Sequence, residues 1–170
     1  MAPLLRRTWN RRGETPCLTQ RTRAHTKVTI IGALCIPPSR DSVQFYFRLL
    51  PNQNTNTDLT IAFLGQLQRH IDSPIVLIWD RLQAHRAGKV QRFIQARTRI
   101  RTEFLPPYAP ELNPVEYVWS YLKTNPLANR PLFDLGTLTS TTRQSSRSIQ
   151  RTPQLLRSFV KHSPLFLRLQ

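Results

Sequence analysis

An unbroken apolar run that ends in a carboxylate is the feature that most constrains the fold of this chain. The residues from Ile75 to Trp79 are all apolar, Pro74 precedes them and Asp80 follows them. A run of this length bounded by proline predicts a buried parallel strand. Asp80 would then lie at the carboxyl end of that strand, where open α/β sheets bind their ligands.

The residues after Asp80 predict a helix and a second strand. Lys89 to Arg97 has apolar residues at helical spacing, and Ile100 to Leu105 has the pattern of a strand that Pro106-Pro107 ends. The apolar stripe of the helix consists of Val90, Phe93 and Ile94. Together with the first run, these segments predict a strand–helix–strand unit.

A second acidic residue opens the next predicted helix. Asn113 has the chemistry of an N-cap, and Pro114 suits the first helical position. Glu116 therefore lies in the first turn. The predicted buried stripe of this helix is Val115, Val118, Trp119 and Leu122.

We expect Asp80 and Glu116 to meet at one edge of the sheet. The 35 residues between them are enough for the rest of the strand–helix–strand unit and one turn. Two carboxylates at such an edge are hard oxygen ligands that suit Mg²⁺ or Mn²⁺. Glu103 and Glu111 are nearby acids that we expect at the surface, because one lies in mid-strand and the other in a proline-rich turn.

Structural roles remain open for each of these residues. Asp80 has the chemistry to cap the segment after its strand, although a carboxylate behind an apolar run needs a partner or a metal ion to offset its desolvation. Glu116 follows Asn113 by three residues, which is the spacing of a capping box. His85 fits a general base, a DNA contact or a structural histidine, and we favour the structural role because metal ions activate the nucleophile in two-metal chemistry.

The fifteen residues from Leu105 to Trp119, LPPYAPELNPVEYVW, closely resemble the signature around the last acid of mariner-like and bacterial insertion-sequence transposases. The segment of Asp80 and His85 is similar to the second-acid motif of the same family. Three earlier segments are similar to the early strands of its catalytic domain: Arg7-Thr8-Trp9, Gly13-Glu14-Thr15-Pro16 and Val28 to Leu34.

The resemblance implies an α/β, ribonuclease-H-like fold, with a mixed sheet made of an antiparallel meander and parallel strands, and with flanking helices. It also implies Mg²⁺- or Mn²⁺-dependent cleavage and transfer of DNA strands, with Asp80 and Glu116 as catalytic metal ligands. In the family, three carboxylates hold two ions about 3.5–4 Å apart. This chain supplies two of those carboxylates.

We expect this chain to lack the first acid of the family's catalytic triad. Met1 stands only eight residues before Trp9, and no acid precedes Glu14. We therefore expect an N-terminally truncated domain, inactive alone, whose missing central strand leaves an open edge on the meander and another on the Ile75 strand. The first Asp is either lost or encoded just upstream in another frame. The alternative function is a non-enzymatic DNA-binding or subunit-association remnant of a transposase.

The charge of the chain points to nucleic acid. It has 25 basic and 9 acidic residues, a net charge of +16, and 21 of the 25 are arginines, whose planar guanidinium groups suit phosphate oxygens. The candidate DNA contacts are Arg11, Arg12, Arg81 and Lys123. For the basic N-terminal residues a solvated, frayed end is an equally good interpretation. Further expected partners are a second copy of the chain or a separate upstream transposase fragment.

The remaining pattern predicts how the chain is divided. Val28 to Cys35 and Val43 to Leu50 predict an antiparallel pair of strands, and Thr57-Asp58 begins a helix. We expect residues 1–130 to form the partial catalytic core and residues 131–170 a C-terminal helical segment of the same domain.

No apolar segment approaches the ~20 residues of a membrane span, so we expect a cytoplasmic protein that does not bind membranes.

Overall fold

Four strands and six helices form a mixed α/β arrangement in the computed structural model, which describes residues 12, 27–128, 134–165 and 169. The strands are β1 (Val28–Cys35), β2 (Gln44–Pro51), β3 (Ile75–Trp79) and β4 (Ile100–Phe104). The helices are α1 (Thr57–His70), α2 (Gln83–Arg86), α3 (Gly88–Gln95), α4 (Pro114–Thr124), α5 (Leu135–Gln150) and α6 (Pro153–His162). A single 3-10 turn, Pro110–Leu112, precedes α4. The predicted turn at Gly13 to Pro16 and the Arg7-Thr8-Trp9 segment lie outside the described residues.

The predicted antiparallel pair is confirmed. β1 and β2 pair from Val28 opposite Pro51 to Cys35 opposite Gln44. Successive side chains of a strand point to opposite faces, and both faces of this pair are covered. Ile30 of β1 packs against a hydrophobic cluster that includes residues of α4 and α6, whereas Ile31 packs against a second cluster that includes residues of α1 and α3.

The predicted strand–helix–strand unit is also confirmed. β3 and β4 are parallel, with Ile75 opposite Ile100 and Trp79 opposite Phe104, and α3 connects them. The expectation that β3 is buried on both faces is wrong. Val76 is 63% exposed and Ile78 is 41% exposed, because no described element covers the face of β3 on which they lie.

The two pairs of strands do not join. Among the described residues, β1–β2 and β3–β4 are separate two-stranded sheets. The outer edges of β1 and β3 face a cavity of about 790 Å³ that residues from both strands line. Among the described residues, β1 and β3 therefore each have one edge that pairs with no strand.

Two hydrophobic clusters hold these elements in place. In the first cluster, Phe45 of β2 packs with Val118 and Leu122 of α4 and with Leu156 of α6. In the second cluster, Phe63 of α1, Val90 of α3 and Trp79 of β3 are among the buried residues.

Helix α5 joins the first cluster through Ile149. Residues 134–165 therefore share a core with β2 and α4, and the division near residue 130 stays a prediction. No helix within the described ranges has the length and apolar character needed to cross a membrane.

Candidate active site

Asp80 lies directly after β3 and is held by two hydrogen bonds. Its Oδ1 atom accepts a hydrogen bond from the backbone N–H of Leu82 at 3.0 Å and lies 2.7 Å from Nδ1 of His85. The hydrogen bond from His85 is the main reason that the pKa of Asp80 lies below its usual range. In the described part of the chain, both of these bonds end on Oδ1, so Oδ2 is available to a further ligand.

His85 is fixed on the short helix α2 between an aromatic ring and a carboxylate. Its ring is stacked on Trp79, with centroids 4.4 Å apart and an angle of 12° between the planes. Its backbone carbonyl accepts a hydrogen bond from Nε2 of Gln91 at 2.8 Å. These contacts orient the imidazole toward Asp80, which agrees with the structural role that we favoured from the sequence.

Glu116 is placed by a well-formed helix start. Oδ1 of Asn113 accepts a hydrogen bond from the N–H of Val115 at 3.2 Å, and Pro114 occupies the first position of α4. The backbone N–H of Asn113 donates to the carbonyl of Pro110 at 3.0 Å. That N–H is the group that a capping box would use, so Glu116 is not needed to satisfy it.

The two carboxylates influence each other electrostatically. Partial burial of the carboxyl group, followed by the negative charge of Asp80, raises the pKa of Glu116 above its usual value, while Lys123 has a smaller opposite effect. Glu116 is an exposed residue, so solvent screens part of the effect of Asp80 on its pKa. Asp80 directly after β3 and Glu116 in the first turn of α4 are therefore close enough for the charge of Asp80 to act on Glu116.

This arrangement suits a hard divalent cation. Two carboxylates that repel each other gain from a shared cation, and oxygen ligands match Mg²⁺ and Mn²⁺. The described residues contain no group of three His, Cys, Asp or Glu side chains that could hold a metal ion. Asp80 and Glu116 therefore fit one weakly held ion rather than a complete two-ion site.

The remaining candidate residues lie in different environments. Glu103 and Glu111 are exposed, as predicted. Nε of Arg81 donates to the carbonyl of Leu105 at 3.2 Å, so this arginine links the ends of β3 and β4. Lys123 lies in the last turn of α4 on the side of Glu116, and Arg12 is exposed in a turn. Arg11 lies outside the described residues.

Sequence reasoning missed the role of Trp79. Its ring is stacked with those of both His85 and Phe104, at centroid distances of 4.4 Å and 5.9 Å. An aromatic residue next to a strand-end acid, with a histidine a few residues later, is a signal that could have indicated this stacking. Gln91, which fixes the backbone of His85, carries no such signal.

An α/β fold with one acid directly after β3 and another in the first turn of α4 defines the class, a ribonuclease-H-like domain. The chain belongs to the DDE superfamily endonuclease family, whose model matches residues 2–139. This result confirms the transposase family that the fifteen-residue signature indicated.

One curated protein and two solved structures are similar to this chain. Over 77 residues the chain is 36% identical to "Uncharacterized protein y4pE/y4sA" of Sinorhizobium fredii (strain NBRC 101917 / NGR234). The matched residues make up 44% of this chain and 54% of that protein. Among solved structures, the Mos1 strand transfer complex is similar over 97% of this chain and 52% of that one, with a TM-score of 0.55 and 19% identity. The Mos1 mariner paired-end complex with Mn is similar over 97% and 53%, with a TM-score of 0.56 and 19% identity. The chain thus spans about half the length of these relatives, and the likeness to Mos1 confirms the ribonuclease-H-like fold.

Proposed function

We propose that this chain is part of the catalytic domain of a transposase that cleaves and transfers DNA strands with the help of Mg²⁺ or Mn²⁺. The observation that carries the proposal is the position of two acids, Asp80 directly after β3 and Glu116 in the first turn of α4, with the charge of Asp80 contributing to the raised pKa of Glu116. Family membership and the net charge of +16 support DNA as the substrate. Action on DNA also agrees with the cytoplasmic location that we expect.

In this proposal Asp80 and Glu116 hold the cation. The lowered pKa of Asp80 keeps that carboxylate ionised at neutral pH, and His85 orients it as a positioning residue. The raised pKa of Glu116 indicates that its negative charge lacks a sufficient counter-charge, which a cation would supply. When bound in this kind of site, one divalent ion would supply activation of a water molecule or a 3′-hydroxyl, and a second would supply stabilisation of the leaving oxygen.

The basic side chains have a separate role. Arg11, Arg12, Arg81 and Lys123 are the proposed DNA contacts. Lys123 lies near Glu116, so it is well placed to bind a phosphate close to the reacting group. Arg81 is exposed, and its guanidinium has donors beyond the Nε that binds Leu105.

Two carboxylates are too few for the two-ion mechanism. We infer that the described residues bind DNA and one weakly held ion without cutting, and that activity needs a third carboxylate. A second copy of this chain or a separate upstream fragment is the proposed source. The alternative, a DNA-binding or subunit-association remnant without enzymatic activity, rests on the same net charge of +16.

A plasmid-nicking assay separates these two functions. Supercoiled DNA is incubated with Mn²⁺ and the chain alone, or with the chain fused to the Asp-bearing upstream strand of a transposase relative. We expect nicking only by the fusion, and none when Asp80→Asn or Glu116→Gln is introduced into it. A fusion that binds DNA and gains stability but never nicks would favour the non-enzymatic remnant.

A further inference from the structure

Helix α5 carries a row of exposed arginines on the side that faces away from the core. Arg143, Arg147 and Arg151, the last at the C-cap, are all exposed and follow one another at intervals of four residues. This spacing places side chains next to one another along one face of a helix. We call these three residues the arginine stripe. At the rise of an α-helix, the stripe is about 12 Å long.

The core contacts of α5 fix the direction in which the stripe faces. Ile149 packs in the same hydrophobic cluster as Phe45 of β2. Nε2 of Gln150 donates a hydrogen bond to the backbone carbonyl of Phe45 at 2.7 Å. The buried side of the helix consists of Leu138, Thr142, Ser146 and Ile149. Because this side is held against β2, the arginine stripe lies on the outer surface.

No carboxylate neutralises the stripe within the part of the chain that the structure describes. Residues 135–165 contain no Asp or Glu, and neither do β1 and β2, the strands against which α5 packs. The ion pairs between described residues join His85 to Asp80 and Lys89 to Asp58, and neither involves α5. The three guanidinium groups of the stripe donate no hydrogen bond to a described residue. All of their donors therefore face solvent.

The stripe does not serve the stability of the helix. Like charges four residues apart repel each other. Arg147 and Arg151 lie at the negative end of the helix dipole and gain from it, whereas Arg143 lies in mid-helix and does not. The exposed neighbours Gln144 and Ser148 add neutral donors rather than acids. Such a surface suits an external anion.

Duplex DNA matches the length and the chemistry of the stripe. Along about 12 Å of its axis, duplex DNA carries about seven phosphate charges, so each arginine has a separate phosphate within reach. The planar guanidinium group pairs with phosphate oxygens through two parallel hydrogen bonds. A membrane surface is a poorer match, because helices that bind membranes present apolar side chains beside their basic ones. The exposed residues next to the stripe are polar.

We propose that the arginine stripe of α5 binds the phosphate backbone of duplex DNA, as a second contact surface besides the residues proposed around Asp80 and Glu116. The family model ends at residue 139, so the stripe lies outside the matched part of the chain. Phosphate contacts carry no sequence information, so the stripe holds DNA in place without selecting its sequence. The inference rests on the proposed function only in taking DNA as the polyanion.

Binding of a mixed-sequence duplex, measured by fluorescence anisotropy without metal at several salt concentrations, tests the inference independently of catalysis. The stripe variant combines Arg143→Gln, Arg147→Gln and Arg151→Gln. We expect its affinity to be at least tenfold lower and its slope of log affinity against log salt to be smaller by about 2.7, since each lost phosphate contact removes about 0.9. The corresponding three lysine substitutions keep the charges and should retain most of the slope.

A matched control separates the stripe from the net charge of the chain. The control variant combines substitutions of three exposed residues on other helices, Arg69→Gln on α1, Arg92→Gln on α3 and Lys161→Gln on α6. It loses the same three charges and should keep nearly the parent affinity and slope. Thermal unfolding should show both variants folded, because all six substituted residues are exposed.

Three outcomes would overturn the proposal. Equal losses in the stripe and control variants would mean that only the overall charge matters. Tighter binding of the parent to polyglutamate than to DNA, at equal concentrations of negative charge, would assign the stripe to an acidic protein. Parent-like DNA binding by the stripe variant would remove α5 from the interface and leave the proposed function standing, whereas a parent that binds no DNA would contradict the proposed function as well.

Discussion

Nδ1 of His85 lies 2.7 Å from Oδ1 of Asp80, and the same imidazole ring is stacked on Trp79 with 4.4 Å between centroids. The stacking fixes the plane of the ring, and the hydrogen bond fixes one carboxylate oxygen. The other oxygen is thereby directed by the protein before any ion is bound. Preorganisation of this kind is how neighbours of a metal ligand increase its affinity.

His85→Ala should therefore weaken Mn²⁺ binding by about 10- to 100-fold, the usual effect of removing a partner of a metal ligand. His85→Gln should recover part of the loss, because an amide N–H can still donate to Asp80. The control is His162→Ala, since His162 bonds to the carbonyl of Ser158 on α6 and takes no part in the Asp80 site. Unchanged Mn²⁺ affinity of His85→Ala, measured by calorimetry, would show that the contact does not position Asp80.

The two acids should affect stability with opposite signs as the pH changes. The pKa of Asp80 is lowered, so its stabilising contribution is present above about pH 4 and is lost on further acidification. The pKa of Glu116 is raised, so its ionised form costs stability as the pH rises above about 4. At pH 7, Asp80→Asn should lower the free energy of unfolding and Glu116→Gln should raise it, each by less than about 1 kcal/mol, because solvent screens both groups.

Urea denaturation between pH 3 and pH 8 measures both differences. The Glu116→Gln difference should shrink first as the pH falls, because the pKa of Glu116 is raised, and the Asp80→Asn difference should persist to lower pH, because the pKa of Asp80 is lowered. A Glu116→Gln variant that is less stable than the parent at pH 7 would contradict the burial and the Asp80 repulsion that we assign to Glu116.

Gly32 is required by the packing of β1 against α4. A Cβ atom at this position would lie 2.7 Å from Cη2 of Trp119 and 2.9 Å from Cε2 of Phe45. Gly32→Ala should therefore destabilise the fold by roughly 1–3 kcal/mol through overpacking.

Gly65→Ala is the matched control. Gly65 lies within α1, and a Cβ atom there has no neighbour within 4 Å, so alanine should raise stability by about 0.5–1 kcal/mol through helix propensity. Thermal or urea unfolding compares the two variants. The same effect from both substitutions would mean that the contact of β1 with Trp119 is not formed as described.

Binding to DNA should be dominated by phosphate contacts. The affinity of the chain for duplex DNA should fall steeply with salt and depend little on sequence. Lys123→Gln should weaken binding and reduce the slope of log affinity against log salt by about 1, if Lys123 binds one phosphate near Glu116. Lys161→Gln is the control, because Lys161 is exposed in the last turn of α6. Equal slopes for both variants in a filter-binding assay would remove Lys123 from the interface.

Local signals were enough to predict the elements that carry the acids. Asn113 was predicted to cap α4 and Pro114 to occupy its first position, and the structure confirms both roles. The strand ending before Asp80 and the helix with buried Val90 and Ile94 were predictable for the same reason, since each has a distinct apolar pattern. The prediction that Asp80 and Glu116 converge rests on the parallel strand–helix–strand unit, whose strand pairing the structure confirms.

Other features depend on neighbours that a local pattern does not contain. An apolar run cannot tell whether both faces of β3 will be covered, and Val76 and Ile78 lie on the face that is not. Helix α5 has few apolar residues, and it buries Thr142 and Ser146 where a sequence pattern would require larger apolar residues. Trp79 could have been predicted to be buried, but its stacking on His85 depends on the path of α2.

Calorimetric titration with Mn²⁺ of the parent chain and of Asp80→Asn, Glu116→Gln and Glu103→Gln tests the central claim that Asp80 and Glu116 form one cation site. Glu103 is the matched control, because it is an exposed acid on β4 outside the pair. We predict weak binding of a single ion by the parent and by Glu103→Gln, no measurable binding by Asp80→Asn and a strong loss in Glu116→Gln. Equal binding by all four proteins would contradict the paired site.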